Sequence, residues 1–495
     1  MLCLISGILF AFCSLPSPWC RAVAPVRQRP THTPNTAILK IADEARELPP
    51  EFAADLLLRL ATSGAVVGVE KRRLAEEAFQ TAERSTQPFP RKRAFSGPTD
   101  SRESYAALAA ALPLDRLSLQ MRAIAVLLPL DRATALAELR DVGEPKLPPE
   151  KCNDTLAYDL TAYFTTVARF AHFTRDQLAE GLAVDFLGQY VGAISSPMEI
   201  GPAAKLILGV SADRLTLSAL TDDLAASLSQ MAPDPRLMAL AAPQAEEEIL
   251  QLAAACRSRG VSPDPLVLAY RGLLERAVQN GLCVSDARQL RAIDEFNRLL
   301  ASSTVPPLRL ETPTLGVRTM RQNSHVYWET PDSKQLLGDL KELRFPPPGQ
   351  DPAMAFAQVL DRVTAWQGDA MSEPADVFNE KCIAFEALLG TAPGPGELVA
   401  AQDAFLRFLS ADGEQQRDTR IWFLHFQRLM RSIEAQRHAA PLVVAALDSS
   451  SSSFVRAYAD EARLEAATKN AKHTARPEAM RPSRATATGM RSTTD

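Results

Sequence analysis

Catalysis needs nucleophiles, proton carriers or metal ligands that the fold can bring together, and the 495-residue chain holds few in recognisable spacing. Its six histidines (His32, His172, His325, His425, His438, His473) stand alone, with no His-Glu-x-x-His pair. No metal or cofactor site is therefore expected. Walker, dinucleotide and Gly-x-Ser-x-Gly patterns are also missing. The glycine-rich run Gly390–Gly396 contains prolines that lack the N–H donors a phosphate cradle needs. Cys152, Cys256, Cys283 and Cys382 are too far apart for zinc, and no Cys-x-x-Cys occurs. Their even number leaves disulfides and buried thiols both open. Cys256 with Cys283 is discounted, because they fall at opposite ends of a helical hairpin, about 20 Å apart, beyond the ~7 Å reach of a disulfide.

One concentration stands out. His325, Tyr327 and Trp328 lie within four positions, on a segment that interrupts the regular pattern. Aromatic and imidazole groups on an irregular segment are apt for recognition, and these three are the candidate binding residues. The competing reading is that Val326 and Trp328 pin the segment by ordinary packing. Other conspicuous side chains read as structure. Asp115 and Asp131 sit where helix N-caps are wanted, Asp100 with Glu103 and Thr174 with Gln177 form capping boxes, and Glu246-Glu-Glu248 suits a helix start. The Tyr163/Phe164/Phe170 and Trp422/Phe423/Phe426 groups have helical spacing and belong in a core. Arg91-Lys-Arg93 reads as an exposed loop.

Two partial resemblances do not extend. Ser258-Arg-Gly-Val-Ser-Pro-Asp264 resembles the junction between pentatricopeptide repeats, which would imply RNA reading, but it covers one repeat and has no neighbours at that period. Glu103-Ser104 is similar to the catalytic pair of soluble lytic transglycosylases, yet their downstream glycine-and-glutamine motif is missing. Glu103 reads as a capping residue.

The elements that must position these groups are amphipathic helices broken by Pro, Gly and capping residues. Leu112-Pro-Leu-Asp-Arg116 returns sixteen residues later as Leu128-Pro-Leu-Asp-Arg132, each copy opening a helix whose preceding leucine can staple onto it. Helices with one apolar stripe must stack. The expected fold is all-α: a helical-repeat array of α-α hairpins in two parts, 36–303 and 351–468, joined by an irregular, partly β-like 304–350 segment. Helices are expected over 154–171, Leu178–Ile194, Ala245–Arg259, Pro265–Asn280, from Ser285, and Ser333–Leu343, with short strands at 308–312, 316–320 and 325–328. The polar, aperiodic tail 469–495 is expected to be disordered.

Composition agrees with a helical core: 46% hydrophobic but only 6% aromatic. The net charge of −5 gives no footprint for nucleic acid, and none is expected as a partner. Residues 1–24 resemble a signal peptide, with an apolar run to Leu15 stopped by Pro16 and Pro18, and 25–35 an extended lead-in. The run is short of a membrane span, and no basic residue precedes it. The expectation is an extracytoplasmic protein without a stable membrane span after leader removal; the alternative is an uncleaved signal anchor. A curved array has a concave face that holds macromolecules. The function expected is an exported, non-catalytic scaffold binding another protein. Its rival is an exported hydrolase with an α/α core and dispersed carboxylate catalysts.

Overall fold

The computed structural model describes residues 34–93, 99–148, 156–172, 175–210, 212–233, 242–279, 294, 296–298, 306–307, 326–369, 372–411, 418–435 and 452–474. The fold is all-α, with almost no strand. The first group of helices is α1 (Pro34–Arg46), α2 (Pro50–Thr62), α3 (Gly68–Ala82), α4 (Arg102–Ala110), α5 (Arg116–Leu127) and α6 (Arg132–Val142). There follow α7 (Thr161–Phe170), α8 (Arg175–Ala179), α9 (Leu182–Gly192), α10 (Pro197–Gly209), α11 (Arg214–Gln230), α12 (Ala242–Ser258) and α13 (Asp264–Gln279). The last group is α14 (Pro331–Arg344), α15 (Pro352–Ala365), α16 (Pro374–Thr391), α17 (Pro395–Ala411), α18 (Thr419–Glu434) and α19 (Ser453–Thr474). No helix of the described residues is long and apolar enough to cross a membrane.

Side-chain caps start several of these helices. Asp115 Oδ1 accepts the Ser118 N–H at 3.0 Å, and Asp131 accepts from Ala133 and Thr134, both at 3.1 Å. The two copies of the repeat then diverge. Leu114 is buried beneath α5, whereas Leu130 is 40% exposed and staples nothing. Ser196 and Glu199 close a full capping box on α10.

Two rows of helices run through the middle of the chain. In one, α5 packs on α7, α7 on α10 and α10 on α12; in the other, α11 packs on both α9 and α13. The second row is parallel, because C-terminal ends lie side by side. Ser227 Oγ on α11 donates to the Val191 carbonyl of α9 at 3.1 Å, and Arg276 on α13 donates to Leu228 O of α11 at 2.9 Å. The turn between α12 and α13 is closed by Gly260 at φ +69° and a Val261 N–H to Cys256 carbonyl bond of 2.9 Å.

The last group folds back onto the first helices. α19 packs on α1, α2 and α18, and α18 packs on α4. Phe52 of α2 meets Phe423 of α18 and Phe454 of α19 edge-on, each at 4.9 Å between ring centres. The helices of both expected parts thus share one continuous apolar core.

Several local expectations are corrected. Arg91–Arg93 is not a loop but strand β1, antiparallel to β2 (Leu156–Tyr158), with Arg91 opposite Tyr158. The Arg91 guanidinium lies 4.3 Å from the Tyr158 ring centre, a cation–π contact that holds the stem half-buried. The helix expected from 154 consequently starts at Thr161, whose N–H is capped by Asp159 at 3.0 Å. The cap of α4 is Ser101 rather than Asp100, whose carbonyl instead accepts the Tyr327 N–H at 3.3 Å. Gly181 at φ +76° breaks the expected 178–194 helix into α8 and α9. Pro34 and Asn35, expected in the lead-in, begin α1. α19 continues five residues past Lys469, because Lys469, Ala471 and Lys472 are sound helix formers.

Residues 1–33 and 475–495, the strands at 308–312 and 316–320, His325, Thr174, Cys152, Cys283 and the helix expected from Ser285, apart from residues 294 and 296–298, which are helical, lie outside the described residues.

Candidate functional site

Of the candidate binding residues, Tyr327 and Trp328 are 2% and 5% exposed, so neither offers a contact face to a partner. Burial of Trp328 agrees with the packing reading of Val326 and Trp328, of which Val326 is half-buried. Val326 bridges to Ser101, and the Trp328 N–H donates to Glu380 Oε1 at 2.6 Å. The residues therefore clasp α4 to α16. Trp328 is the only non-glycine residue at positive φ (65°) among the described residues. The strain is held by the two backbone bonds flanking it and by burial of the indole.

Around this clasp the fold assembles a polar cluster. His425 on α18 has no exposed surface. Its Nδ1 lies 2.7 Å from Glu386 Oε1 and its Nε2 3.2 Å from Asn379 Oδ1. Tyr105 of α4 stacks on the imidazole at 5.5 Å, and Arg428 pairs with the second Glu386 oxygen. Burial, with the Glu386 charge, pushes the Tyr105 hydroxyl up to about 12. Arg102 on α4 makes a fork to Asp376 of α16 and reaches Glu373 at 2.7 Å.

A carboxylate beside a histidine is the setting of a general base, but a base must reach a substrate. Here both ring nitrogens face protein side chains, and Asn379 occupies the direction a substrate would take. The cluster is a buried tie between α4, α16 and α18. A second tie joins α2 to α19: Asp55, 3% exposed, pairs with Arg122 at 2.6 Å and Arg59 at 2.8 Å, and accepts the Tyr458 hydroxyl at 2.9 Å. Burial opposes the Asp55 charge, yet the two guanidiniums outweigh it and hold the carboxyl down at about 2.

Sequence reading missed both ties, because their members are far apart in the chain. One signal was available. α16 carries Asp376, Asn379, Glu380 and Lys381 on a helix rich in Phe, Ile and Leu, and all four are buried. Asn379 and Glu386 are seven residues apart, two turns on one face.

An open feature lies elsewhere. Across α7, α10 and α12 runs a groove of about 430 Å³. Its hollow follows from small residues, Ala168 and Gly201, where longer side chains would fill the space between helices. Thr161 and Thr165 edge one side, and Lys205, 3.2 Å from Glu248, the other. Pro202, inside α10, has no N–H, so the Met198 carbonyl loses its usual donor beside the groove.

Cys256 and Cys382 are buried thiols on α12 and α16. Burial pushes the Cys256 thiol up, away from a reactive thiolate. Among the described residues no group of three or more His, Cys, Asp or Glu is placed to hold a metal ion. Comparison of the chain with protein-family models, with curated proteins and with solved structures finds no match.

Proposed function

We propose that this chain is a non-catalytic helical scaffold that works outside the cytoplasm and holds a protein partner along the α7–α10–α12 row. The observation that carries the reading is the groove. It crosses three successive helices of one row, its volume lies in the range of recognition pockets, and its rims mix hydroxyl, ammonium and carboxylate groups with an apolar floor. The α5–α7–α10–α12 succession, with α11 packed on both α9 and α13, supports the reading of the chain as an array of helical hairpins, a class that presents extended binding faces. The polar clusters with catalytic composition, by contrast, are spent in tying helices together. Export rests on the apolar N-terminal run ended by Pro16 and Pro18.

The test is to fill the groove. An Ala168→Trp variant, with Leu215→Trp on the far row as control, is expressed in the native host and purified with whatever it holds. Loss of a co-purifying protein from the first variant alone supports the reading. Retention of that protein by both variants removes the groove from consideration. Export is tested by sequencing the N-terminus of the protein from cell fractions; an intact Met1 on a cytoplasmic pool overturns it.

A further inference from the structure

The loop between α14 and α15 carries an aromatic ring that the fold leaves in solvent. Among the described residues, every Phe, Tyr and Trp except Phe345 is buried or half-buried, whereas Phe345 is 75% exposed. Pro346, Pro347 and Pro348 follow it, all exposed, and Met354, in the first turn of α15, is 61% exposed. A single exposed apolar residue is ordinary. An aromatic ring at the head of three exposed prolines forms a contiguous apolar run, the kind of surface that marks an interaction site.

The loop is fixed at both ends. The Phe345 N–H donates to the Lys341 and Glu342 carbonyls at 3.2 and 3.1 Å and closes α14. Gly349, at φ +87°, lets the Gln350 N–H reach the Pro347 carbonyl at 3.3 Å. Asp351 then caps α15 through the Ala353 N–H at 3.0 Å. One proline is enough to end α14, and Pro348 suits the second position of the turn. Pro347 has neither task. Three consecutive prolines share the φ of polyproline II and have no N–H to donate.

We propose that residues 344–348 are a docking ligand for a protein that reads polyproline II through an aromatic-lined groove. Strand addition is the wrong mode for this segment, because an added strand must donate N–H groups. A groove of Trp and Tyr rings takes the prolines by packing, while ring N–H or O–H groups donate to the Phe345 and Pro346 carbonyls. Phe345 enters an apolar pocket beside that groove. The Arg344 guanidinium, 5.7 Å from the Phe345 ring centre, meets a carboxylate on its rim. Proline-fixed backbone loses little entropy on binding. An anionic membrane also takes exposed aromatic rings, but the charges here do not favour one. Lys341 and Arg344 are balanced by Glu342 and Asp351. The site is distinct from the groove on α7, α10 and α12, and its test does not depend on that groove.

The full chain is titrated by calorimetry with a purified WW domain and a purified EVH1 domain, two readers of polyproline II. At least one is expected to bind with a Kd below about 1 mM. Phe345→Ser and the double variant Pro346→Ala/Pro347→Ala are each expected to weaken that binding about tenfold or more. All three positions are exposed, so unchanged melting separates this loss from misfolding. Binding to neither domain, or equal binding by wild type and both variants, overturns the proposal. Binding to vesicles of phosphatidylcholine and phosphatidylglycerol that is lost in Phe345→Ser assigns the loop to a membrane surface and overturns it as well.

Discussion

Replacing Asp55 with Asn removes one negative charge from the tie that fastens α19 to α2, while keeping the side-chain shape and an acceptor for the Tyr458 hydroxyl. Asp55 is buried, and Arg122 and Arg59 hold its carboxyl at about 2 against an ordinary 3.8. At about 1.4 kcal/mol per tenfold change in ionisation, this corresponds to roughly 2.5 kcal/mol of stability. The sign follows from the lowered value. The contribution is fully present above pH 3.8 and is lost as pH falls through about 2, because the folded state must then take up the proton it had excluded. Urea unfolding of both proteins between neutral pH and about pH 2 is the assay. Wild type is expected to exceed the variant by roughly 2.5 kcal/mol at neutral pH, with the gap closing toward pH 2. Hydrogen exchange should show α19 opening before the α7–α13 rows in the variant. Equal stability at neutral pH, or a gap that does not depend on pH, refutes the argument that paired guanidiniums outweigh burial.

Substitutions at three other positions have worked signs. Burial, with the charges of Glu76, Asp141 and Glu83, pushes Glu138 up to about 7, so its ionisation destabilises the fold as pH rises from 4.5 through 7. Glu138→Gln should raise the melting temperature at pH 8 and leave it unchanged at pH 4, and a pH-independent change counts against this. Asp115→Ala should cost about 1 kcal/mol in denaturant unfolding and Asp115→Asn only a few tenths, since Asn caps α5 as well; equal losses would place the cost in the charge. Trp328→Ala should cost about 3–5 kcal/mol by the same assay, with α4 and α16 losing exchange protection, and a loss under 1 kcal/mol would mean that the clasp does not hold them.

Most of the helices were legible because they carry their own apolar stripe and several carry their own caps: Asp115, Asp131 and Gly260 act where their residue types require. What local pattern does not encode is return packing. Nothing near Phe52 announces Phe423 and Phe454, and nothing near Asp55 announces Tyr458, roughly four hundred positions on. The strand pair was missed for the same reason, since Arg91–Arg93 takes its conformation from Leu156–Tyr158. His325, Tyr327 and Trp328 drew attention through residue type alone, which cannot distinguish an exposed anchor from a buried clasp. The groove has no local signature either. Ala168 and Gly201 are unremarkable until α7 and α10 lie side by side.

The central claim, that the α7–α10–α12 face holds a protein partner, is tested most directly by photo-crosslinking in the native host. A photoreactive phenylalanine analogue is placed at Thr165 or Lys205 in the groove, and at Leu215 or Leu268 on the opposite row. The account predicts one discrete crosslinked protein from both groove positions, lost when Ala168→Trp is added, and none from the opposite row. Crosslinks from Leu215 and Leu268 with none from Thr165 and Lys205 would contradict it.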